Sequence, residues 1–356
     1  MKKYLLLLVL IAVVAGCTTQ QDVRVGNNGI VINKFSADPT EVNDNQQVDF
    51  LLEMENIGGV RADKVTTKIE GITIKAAPSD AEKKYTWTGT IPAACSANSL
   101  NPPNPIDRTP GGLLFCIISL RPSTLPEGSV TPFSVDARVT YNYYSSQVVL
   151  LRALNTDENK ILRSRGEDVT NPIIVTQDDF SPIKVSIVSG AVPLLIDPTT
   201  DDRTFSYRLE VRNVGDGWPI SAGELGRVWG TIEVTGPGVS APSADKAICD
   251  TTDMVLRSDG TAPVLCAFKV GVDQWKAGPR SDSILFKIDL DYEYFIKKTA
   301  TVIVRGTQRA NLQTCGAYAR DVGWASPLCE KDGNNACVGK SQRTVAVSDC
   351  VVCCNT

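Results

Sequence analysis

The sequence predicts an all-β protein, with two tandem Greek-key β-sandwiches and a small disulfide-rich C-terminal segment. Three observations support this prediction. Strand-like runs with alternating apolar and polar residues recur about every 10 to 15 residues. One ordered set of landmarks occurs twice along the chain. Six of the eleven cysteines fall after residue 306, where apolar residues are scarce.

The alternating runs are clearest at residues 134–141 and 287–294. In the first run, Val135, Ala137 and Val139 share one face with Tyr141. Alternation with a period of two places one face of a strand on a core and the other in water. Breaks rich in Pro, Gly and Asn separate the runs, and no long helical stripe competes with them. This pattern favours sandwiches over alternating strands and helices.

The landmarks of the repeat are a strand ending in Asn-x-Gly, a cysteine pair, an alternating run and a closing apolar strand. In the first copy they are Asn56 to Gly58, Cys95 and Cys116, 133–141 and 148–151. In the second copy they are Asn213 to Gly215, Cys249 and Cys266, 286–294 and 302–304. The shared order and spacing predict a duplication. The alternative is that two unrelated β-rich domains happen to match.

The end of the first strand carries a family resemblance. Leu52, Met54, Asn56, Gly58 and Ala62 resemble the Asn-x-Gly signature of CARDB-type and related Ig-like modules of archaeal and bacterial surface proteins. The second copy keeps the pattern through Gly215 but has Pro219-Ile220 in place of the following Ala. The resemblance implies Ig-like sandwiches and no particular activity. We expect Asn and Gly to reverse the chain by adopting the left-handed conformation.

The N-terminus predicts export. Lys2 and Lys3 precede an apolar run from Leu5 to Val14, which has the pattern of a secretory signal peptide and is too short to span a membrane. The run ends in Val14-Ala15-Gly16-Cys17, which resembles the lipobox of lipoproteins. That resemblance implies cleavage before Cys17 and lipid on its thiol and new amino group. The alternative is an ordinary signal peptide with an incidental cysteine.

Composition restricts the function. Removal of residues 1–16 would leave 340 residues with 34 basic and 40 acidic side chains, a net charge of −6 without a clustered basic face. This balance argues against a nucleic-acid partner. Histidine is absent, so the commonest general base and zinc ligand are missing. With no catalytic or phosphate-loop motif either, the sequence predicts a protein that is not an enzyme and needs no cofactor.

The predicted organisation of the chain follows from these features. We expect a signal peptide at 1–16, a lipid-anchor tether at 17–29, Ig-like β-sandwich 1 at 30–154, a linker at 155–171, Ig-like β-sandwich 2 at 172–306 and a Cys-rich segment at 307–356.

Eleven cysteines are typical of an oxidising compartment, and ten remain if Cys17 carries lipid. The simplest pairing joins Cys95 to Cys116 and Cys249 to Cys266, closing loops of about 20 residues that stabilise the fold or present binding tips. Three further disulfides of open connectivity are expected in the tail, from Cys315, Cys329, Cys337, Cys350, Cys353 and Cys354. The alternative for the tail is a metal site at Cys350-x-x-Cys353-Cys354, but no second pair completes it.

Two other groups of residues have competing interpretations. Asp178-Asp179 and the Asp197 to Asp202 stretch could bind calcium, but solvated turns are favoured because neither has an EF-hand arrangement. The aromatic groups at 141–144 and 292–295 could form a sugar platform, but core packing and strand edges are the simpler interpretation. We therefore predict no metal site.

The function predicted from sequence is a non-catalytic protein, lipid-anchored through Cys17 on the extracellular face of the cell membrane. Its sandwiches would serve adhesion, ligand binding or envelope organisation, with an unknown protein or glycan as surface partner. Two alternatives remain open: a self-associating structural subunit of an envelope array or filament, and an accessory domain of a surface enzyme.

Overall fold

The computed structural model shows an all-β chain, which confirms the predicted fold class. It describes residues 23–76, 86–167, 173–177, 180–200, 202–221, 223–244, 247–249, 253–276, 280–307, 327–330 and 352–355.

The described strands fall into three larger sheets and one small hairpin. In chain order they are β1 (Ile30–Asp38), β2 (Glu41–Asn43), β3 (Val48–Asn56), β4 (Ala62–Glu70), β5 (Ile74–Lys75), β6 (Trp87–Gly89), β7 (Ala97–Leu100), β8 (Leu113–Arg121), β9 (Val130–Asn155), β10 (Ile173–Gln177), β11 (Ile183–Ser189), β12 (Leu194–Ile196), β13 (Arg203–Asn213), β14 (Trp218–Ser221), β15 (Glu224–Leu225), β16 (Arg227–Thr235), β17 (Val239–Ser240), β18 (Met254–Val255), β19 (Thr261–Val270), β20 (Ser281–Arg305), β21 (Pro327–Glu330) and β22 (Val352–Asn355).

Helices are few among the described residues. A 3-10 turn covers Ala93–Cys95, and two α-helices are α1 (Thr156–Ser164) and α2 (Asp273–Lys276). Helix α1 lies within the segment predicted as a linker, and its Leu162 is buried against Leu154 and Leu195. Asn155 caps this helix, because its side chain accepts the Asp157 N–H at 2.9 Å. No helix in the described part of the chain is long and apolar enough to cross a membrane.

Each sandwich has the strand order of an Ig-like fold. In sandwich 1 the outer sheet runs β1-β3-β8-β6-β5, and it faces a second sheet in which β4 pairs with β9. In sandwich 2 the outer sheet runs β11-β13-β19-β17, and it faces a second sheet in which β16 pairs with β20. The second sheet is one continuous sheet that serves both sandwiches, and we call it the shared sheet.

The shared sheet is built on two very long strands, β9 and β20. They pair antiparallel over their whole length, from Ser281 opposite Leu154 to Arg305 opposite Val130. The first half of β9 lies in sandwich 1, where β4 is its other neighbour, and its second half lies in sandwich 2, beside β10 and β12. Strand β20 does the reverse, and its last residues pair with β2 of sandwich 1. Each sandwich therefore takes its closing strand from the other copy.

This exchange corrects one prediction from sequence. The apolar strands at 148–151 and 302–304 were expected to close their own copies, but each closes the other sandwich. A physical reason is that the residues that two-residue hairpin turns require are absent where a hairpin would form. Tyr143-Tyr144-Ser145-Ser146 and Phe295-Ile296-Lys297-Lys298 contain no Gly, Pro or Asn, so the strand continues.

One face of the shared sheet is buried along both sandwiches. Odd-numbered residues of β9 and even-numbered residues of β20 point into a continuous hydrophobic core. At the centre, Tyr141, Tyr143, Tyr292 and Tyr294 are all buried, with Tyr141 and Tyr294 ring centroids 5.8 Å apart. Core packing was the preferred interpretation of these tyrosines, and it is confirmed for these four.

The register reveals an approximate two-fold relation between the copies. Tyr143 lies opposite Tyr292, and Tyr141 lies opposite Tyr294, so a rotation about the Asn142–Glu293 pair exchanges the two strands. Tyr143 then corresponds to Tyr294, and both hydroxyls accept a backbone N–H beside an Asn-x-Gly turn. The sequence alignment of 133–141 with 286–294 was therefore displaced by two residues, which a period-two pattern cannot detect.

Two side chains pin the exchanged segments at related positions. Gln147 of β9 is buried in sandwich 2, where it donates to Ile183 O and accepts the Val185 N–H at 2.9 and 3.1 Å. Lys298 of β20 occupies the equivalent position and donates to the carbonyls of Ile32 and Asn33, both at 2.9 Å. Each pin joins an exchanged segment to the first strand of the outer sheet in the sandwich that receives it.

The Asn-x-Gly turns do not use the left-handed conformation that we expected. Neither Gly58 nor Gly215 has a positive φ. Asn56 holds its turn by accepting the Gly58 N–H and donating to the carbonyls of Val60 and Leu100. Glycine is required for space, because a Cβ on Gly58 would lie 2.0 Å from the Tyr143 hydroxyl, and one on Gly215 would lie 2.6 Å from that of Tyr294.

Candidate functional site

The exposed face of the shared sheet carries a row of three side chains near the centre of the molecule. Trp229 of β16 lies opposite Asp291 of β20, which lies opposite Tyr144 of β9. Trp229 and Tyr144 are 43% and 54% exposed, and Asp291 is also exposed. Neighbouring strands are about 4.8 Å apart, so the carboxylate stands between two aromatic side chains about 10 Å apart. We call these three residues the open row.

Both aromatic side chains are held in place by their polar atoms. The Trp229 indole N–H donates to Ser221 Oγ at 2.8 Å, and the guanidinium of Arg227 lies 5.3 Å from the ring centroid. The Tyr144 hydroxyl donates to Asp289 Oδ1 at 2.8 Å. Because the orientations of these exposed rings are already fixed, the rings lose little conformational entropy when a ligand binds.

The two aspartates beside Tyr144 differ in their partners. Burial raises the pKa of Asp289, but hydrogen bonds from Lys287, Ser146 and Tyr144 outweigh it and hold that pKa below the ordinary value. The Lys287 ammonium lies 2.9 Å from the Asp289 carboxylate. Within the described ranges, no hydrogen bond or ion pair engages the Asp291 carboxylate. Asp289 therefore positions Tyr144, whereas Asp291 keeps its acceptor oxygens available.

A surface groove continues from the open row across β9 and β4. Its lining includes the side chains of Asp63, Asn98, Asn142, Tyr144 and Asp291. Lys64 also lines this groove and has a φ of 51°, at the point where the register of β4 against β9 shifts. Such an irregularity redirects side chains of a strand. The groove therefore offers both hydrogen-bond acceptors and donors beside an aromatic ring, and its Asp63 carboxylate is paired with Arg61 at 2.8 Å.

The two-fold relation supplies a matched row for comparison. Thr66, Thr140 and Phe295 occupy the positions that correspond to Trp229, Asp291 and Tyr144. Phe295 is only 9% exposed: the Arg138 guanidinium lies 3.9 Å from its ring centroid, and the partly buried Trp218 lies opposite it on β14. Lys297 donates a hydrogen bond to Glu70, as does Arg138. These hydrogen bonds outweigh the effect of burial, which raises the pKa of Glu70, and the pKa is lowered. We call Thr66, Thr140 and Phe295 the sealed row, since its aromatic residue Phe295 is buried.

The predicted disulfides are present in both sandwiches. Cys95 bonds Cys116 across 21 residues, and Cys249 bonds Cys266 across 17. The second disulfide lies close in sequence to Asp253, whose carboxylate holds Arg227 at 2.5 and 2.8 Å. Asp253, which lies between the two cysteines in sequence, therefore supports the open row from the side, a role that the sequence did not indicate. In the loop closed by Cys95 and Cys116, Ile106 is 90% exposed.

The acidic turns have local partners in the described part of the chain. The Asp197 carboxylate accepts the Thr199 N–H and hydroxyl, and the Asp202 carboxylate lies 2.9 Å from Lys269 Nζ. Among the residues that the structure describes, no three His, Cys, Asp or Glu side chains converge as metal ligands. Asp178, Asp179 and Asp201 lie outside the described residues.

Other predicted site residues also fall outside the description. Cys17 lies outside it, as do Cys315, Cys337 and Cys350. The backbone of Cys329 lies opposite that of Cys353 in the β21–β22 hairpin, and Leu328 lies opposite Cys354. The pairing of the tail cysteines stays a prediction.

The described chain starts at the centre of the molecule, on the buried side of the shared sheet. Gly26 N–H donates to Ile57 O at 2.8 Å, and the Tyr141 hydroxyl donates to Asn28 O at 2.9 Å. Asn28 also donates to Asp216 of the other copy at 2.8 Å. The predicted tether therefore joins between the sandwiches, on the face opposite the open row.

Comparisons with known proteins cover the N-terminus and the fold. The family model of the prokaryotic membrane lipoprotein lipid attachment site matches residues 1–18. No curated protein matches the chain. Among solved structures, the D0–D1 domain of intimin shares 11% identity over 77% of this chain and 98% of its own, with a TM-score of 0.15.

The collagen adhesin CNA from S. aureus shares 9% identity over 80% of this chain and 96% of its own, with a TM-score of 0.10. At these TM-scores neither structure bears on the function. The N-terminal match supports membrane attachment through lipid on Cys17.

Proposed function

We propose that this protein is a non-catalytic adhesion or ligand-binding protein, anchored by lipid at Cys17 to the extracellular face of the cell membrane. The observation that carries the proposal is the lipid attachment site at residues 1–18, followed by two sandwiches that share one sheet. Such a pair behaves as one rigid body, because separating the sandwiches would break the pairing of β9 with β20.

The attachment point gives this body an orientation. Five residues lie between Cys17 and Val23, and the six residue-to-residue steps span at most about 20 Å. The tether then joins the buried side of the shared sheet near Tyr141, between the two sandwiches. The centre of the molecule would stay near the membrane, with the open row on the opposite face, directed towards the exterior.

The strand exchange also bears on self-assembly. A filament subunit that exchanged strands with its neighbours would need an open acceptor position. Here β9 fills the closing position of sandwich 2, and β20 fills that of sandwich 1. The exchange is complete within one chain, which favours a monomeric anchored protein over a strand-exchanged array.

Localisation tests the proposal. We expect the native protein in the membrane fraction, digested by protease added to intact cells, with a lipid-modified Cys17 as its first residue by mass spectrometry. The variant Cys17→Ala should lose the lipid and leave the membrane fraction after detergent-free washing. A wild-type protein without lipid, or one protected from external protease, would overturn the proposal. Rising sedimentation with concentration would favour the structural-subunit alternative instead.

A further inference from the structure

The open row and its groove have the chemistry of a carbohydrate site, and we propose that they bind a neutral oligosaccharide. The inference rests on the proposed surface function and specifies its ligand class. The open row supplies two exposed aromatic rings, and the groove supplies the oxygens of Asp63, Asn98, Asn142 and Asp291. A sugar ring has apolar C–H faces that pack on aromatic rings and hydroxyls that donate to such oxygens.

The arrangement of partners indicates an external ligand rather than internal packing. Trp229 and Tyr144 have their polar atoms hydrogen-bonded to the protein while their rings stay exposed. Asp291 stands between them, and no described residue hydrogen-bonds its carboxylate. In the sealed row the same position is a buried threonine, and the aromatic ring is covered by Arg138. The aromatic side chain is therefore accessible in the open row, whereas the corresponding side chain is covered in the sealed row.

Charge and topology select among ligand classes. Lys287 pairs with Asp289, so among the described residues the carboxylate of Asp291 is the unpaired charge beside the two rings, and its negative charge disfavours anionic glycans and nucleic acid. An extended peptide could not add to the sheet here, because β9 and β20 both have neighbours at this level. A ligand rich in hydroxyl donors, with apolar faces and no negative charge, fits both restrictions.

The test uses the full-length mature protein in detergent micelles, applied to an array of neutral glucan, mannan, galactan and N-acetylglucosamine oligosaccharides, with heparin as the anionic control. We expect binding to at least one neutral oligosaccharide and none to heparin. Calorimetry with that oligosaccharide should show about tenfold weaker binding for Trp229→Ala and Tyr144→Ala. Asp291→Asn should weaken binding about fivefold, because the carboxylate is a stronger acceptor than an amide.

Phe115→Ala is the matched control, because Phe115 is 56% exposed on the outer sheet of sandwich 1, away from the open row. It should leave the affinity unchanged. An array without neutral ligands would overturn the inference, as would equal losses in Trp229→Ala and Phe115→Ala. An unchanged unfolding temperature in each variant would show that its loss of affinity does not come from misfolding. A blank array with a lipid-anchored, surface-exposed protein defeats only this inference, whereas sugar binding by a protein without lipid defeats only the proposed anchoring.

Discussion

The open row and the sealed row occupy corresponding positions on one sheet, yet only the open row exposes aromatic side chains. The difference arises from a few substitutions between the copies. Arg138 covers Phe295, but the corresponding residue beside Tyr144 is Asp289, which binds the hydroxyl and leaves the ring exposed. Trp229 replaces Thr66 on the neighbouring strand. Strand exchange is shared by the copies, whereas the exposed surface differs.

The largest predicted effect on stability comes from substitutions in the hydrophobic core beneath the two rows. Phe286 is fully buried in sandwich 2, so Phe286→Ala should reduce the free energy of unfolding by about 3–5 kcal/mol. Because the sandwiches share a sheet, we expect one calorimetric transition at a lower temperature, not the early loss of one sandwich. Val135→Ala, at the corresponding position in sandwich 1, should shift the same transition by less. Two separate transitions in either variant would contradict this account.

Removing the disulfides separates stability from site geometry. The double variants Cys95→Ser/Cys116→Ser and Cys249→Ser/Cys266→Ser should each lose about 3 kcal/mol, because their loops are similar in length. Only the second variant should also weaken oligosaccharide binding, since its loop carries the Asp253 that holds Arg227 beside Trp229. Denaturant titration and calorimetry measure the two effects. An equal loss of affinity in both variants would show that the loop at 250–263 has no special role.

The two pins offer a sharper test of the exchange. Gln147→Ala should reduce the free energy of unfolding by about 2 kcal/mol, because it leaves the Val185 N–H buried without its partner, whereas Ile183 O keeps the bond from the Ser181 hydroxyl. Lys298→Ala should cost about 1 kcal/mol, because water can replace the more exposed ammonium. Chemical denaturation of both variants gives the comparison. A neutral Gln147→Ala would argue that the second half of β9 does not pack against β11.

The smallest predicted effect depends on pH. The pKa of Asp289 is lower in the folded protein than its ordinary value of 3.8, so its ionised form stabilises the fold above that pH. This contribution should be lost as the pH falls below about 4, and it should amount to less than about 1 kcal/mol because the carboxylate is partly exposed. Asp289→Asn should therefore be less stable than wild type at pH 6, and the difference should shrink towards pH 2. A difference in stability between wild type and Asp289→Asn that grows as the pH falls would contradict this prediction.

Much of the fold could be predicted from the sequence, because period-two alternation, Asn-x-Gly landmarks and paired cysteines are local signals. The exchange was missed, since a sandwich closed by its own hairpin and one closed by its partner have the same alternation. The missing turn residues after Tyr143 and Phe295 were the available signal. The open row could not be predicted, because Trp229 and Tyr144 lie far apart in sequence and only the register joins them through Asp291.

Cleavage of the chain between the copies tests the strand exchange most directly. A protease recognition sequence inserted after Gly166 lies in an exposed turn, where the structure leaves open space around the glycine. After cleavage, the two fragments should co-elute as one folded 1:1 complex in non-denaturing size-exclusion chromatography and separate only in denaturant. Two folded fragments that elute independently would show that each copy closes its own sandwich, and would contradict the exchange of β9 and β20.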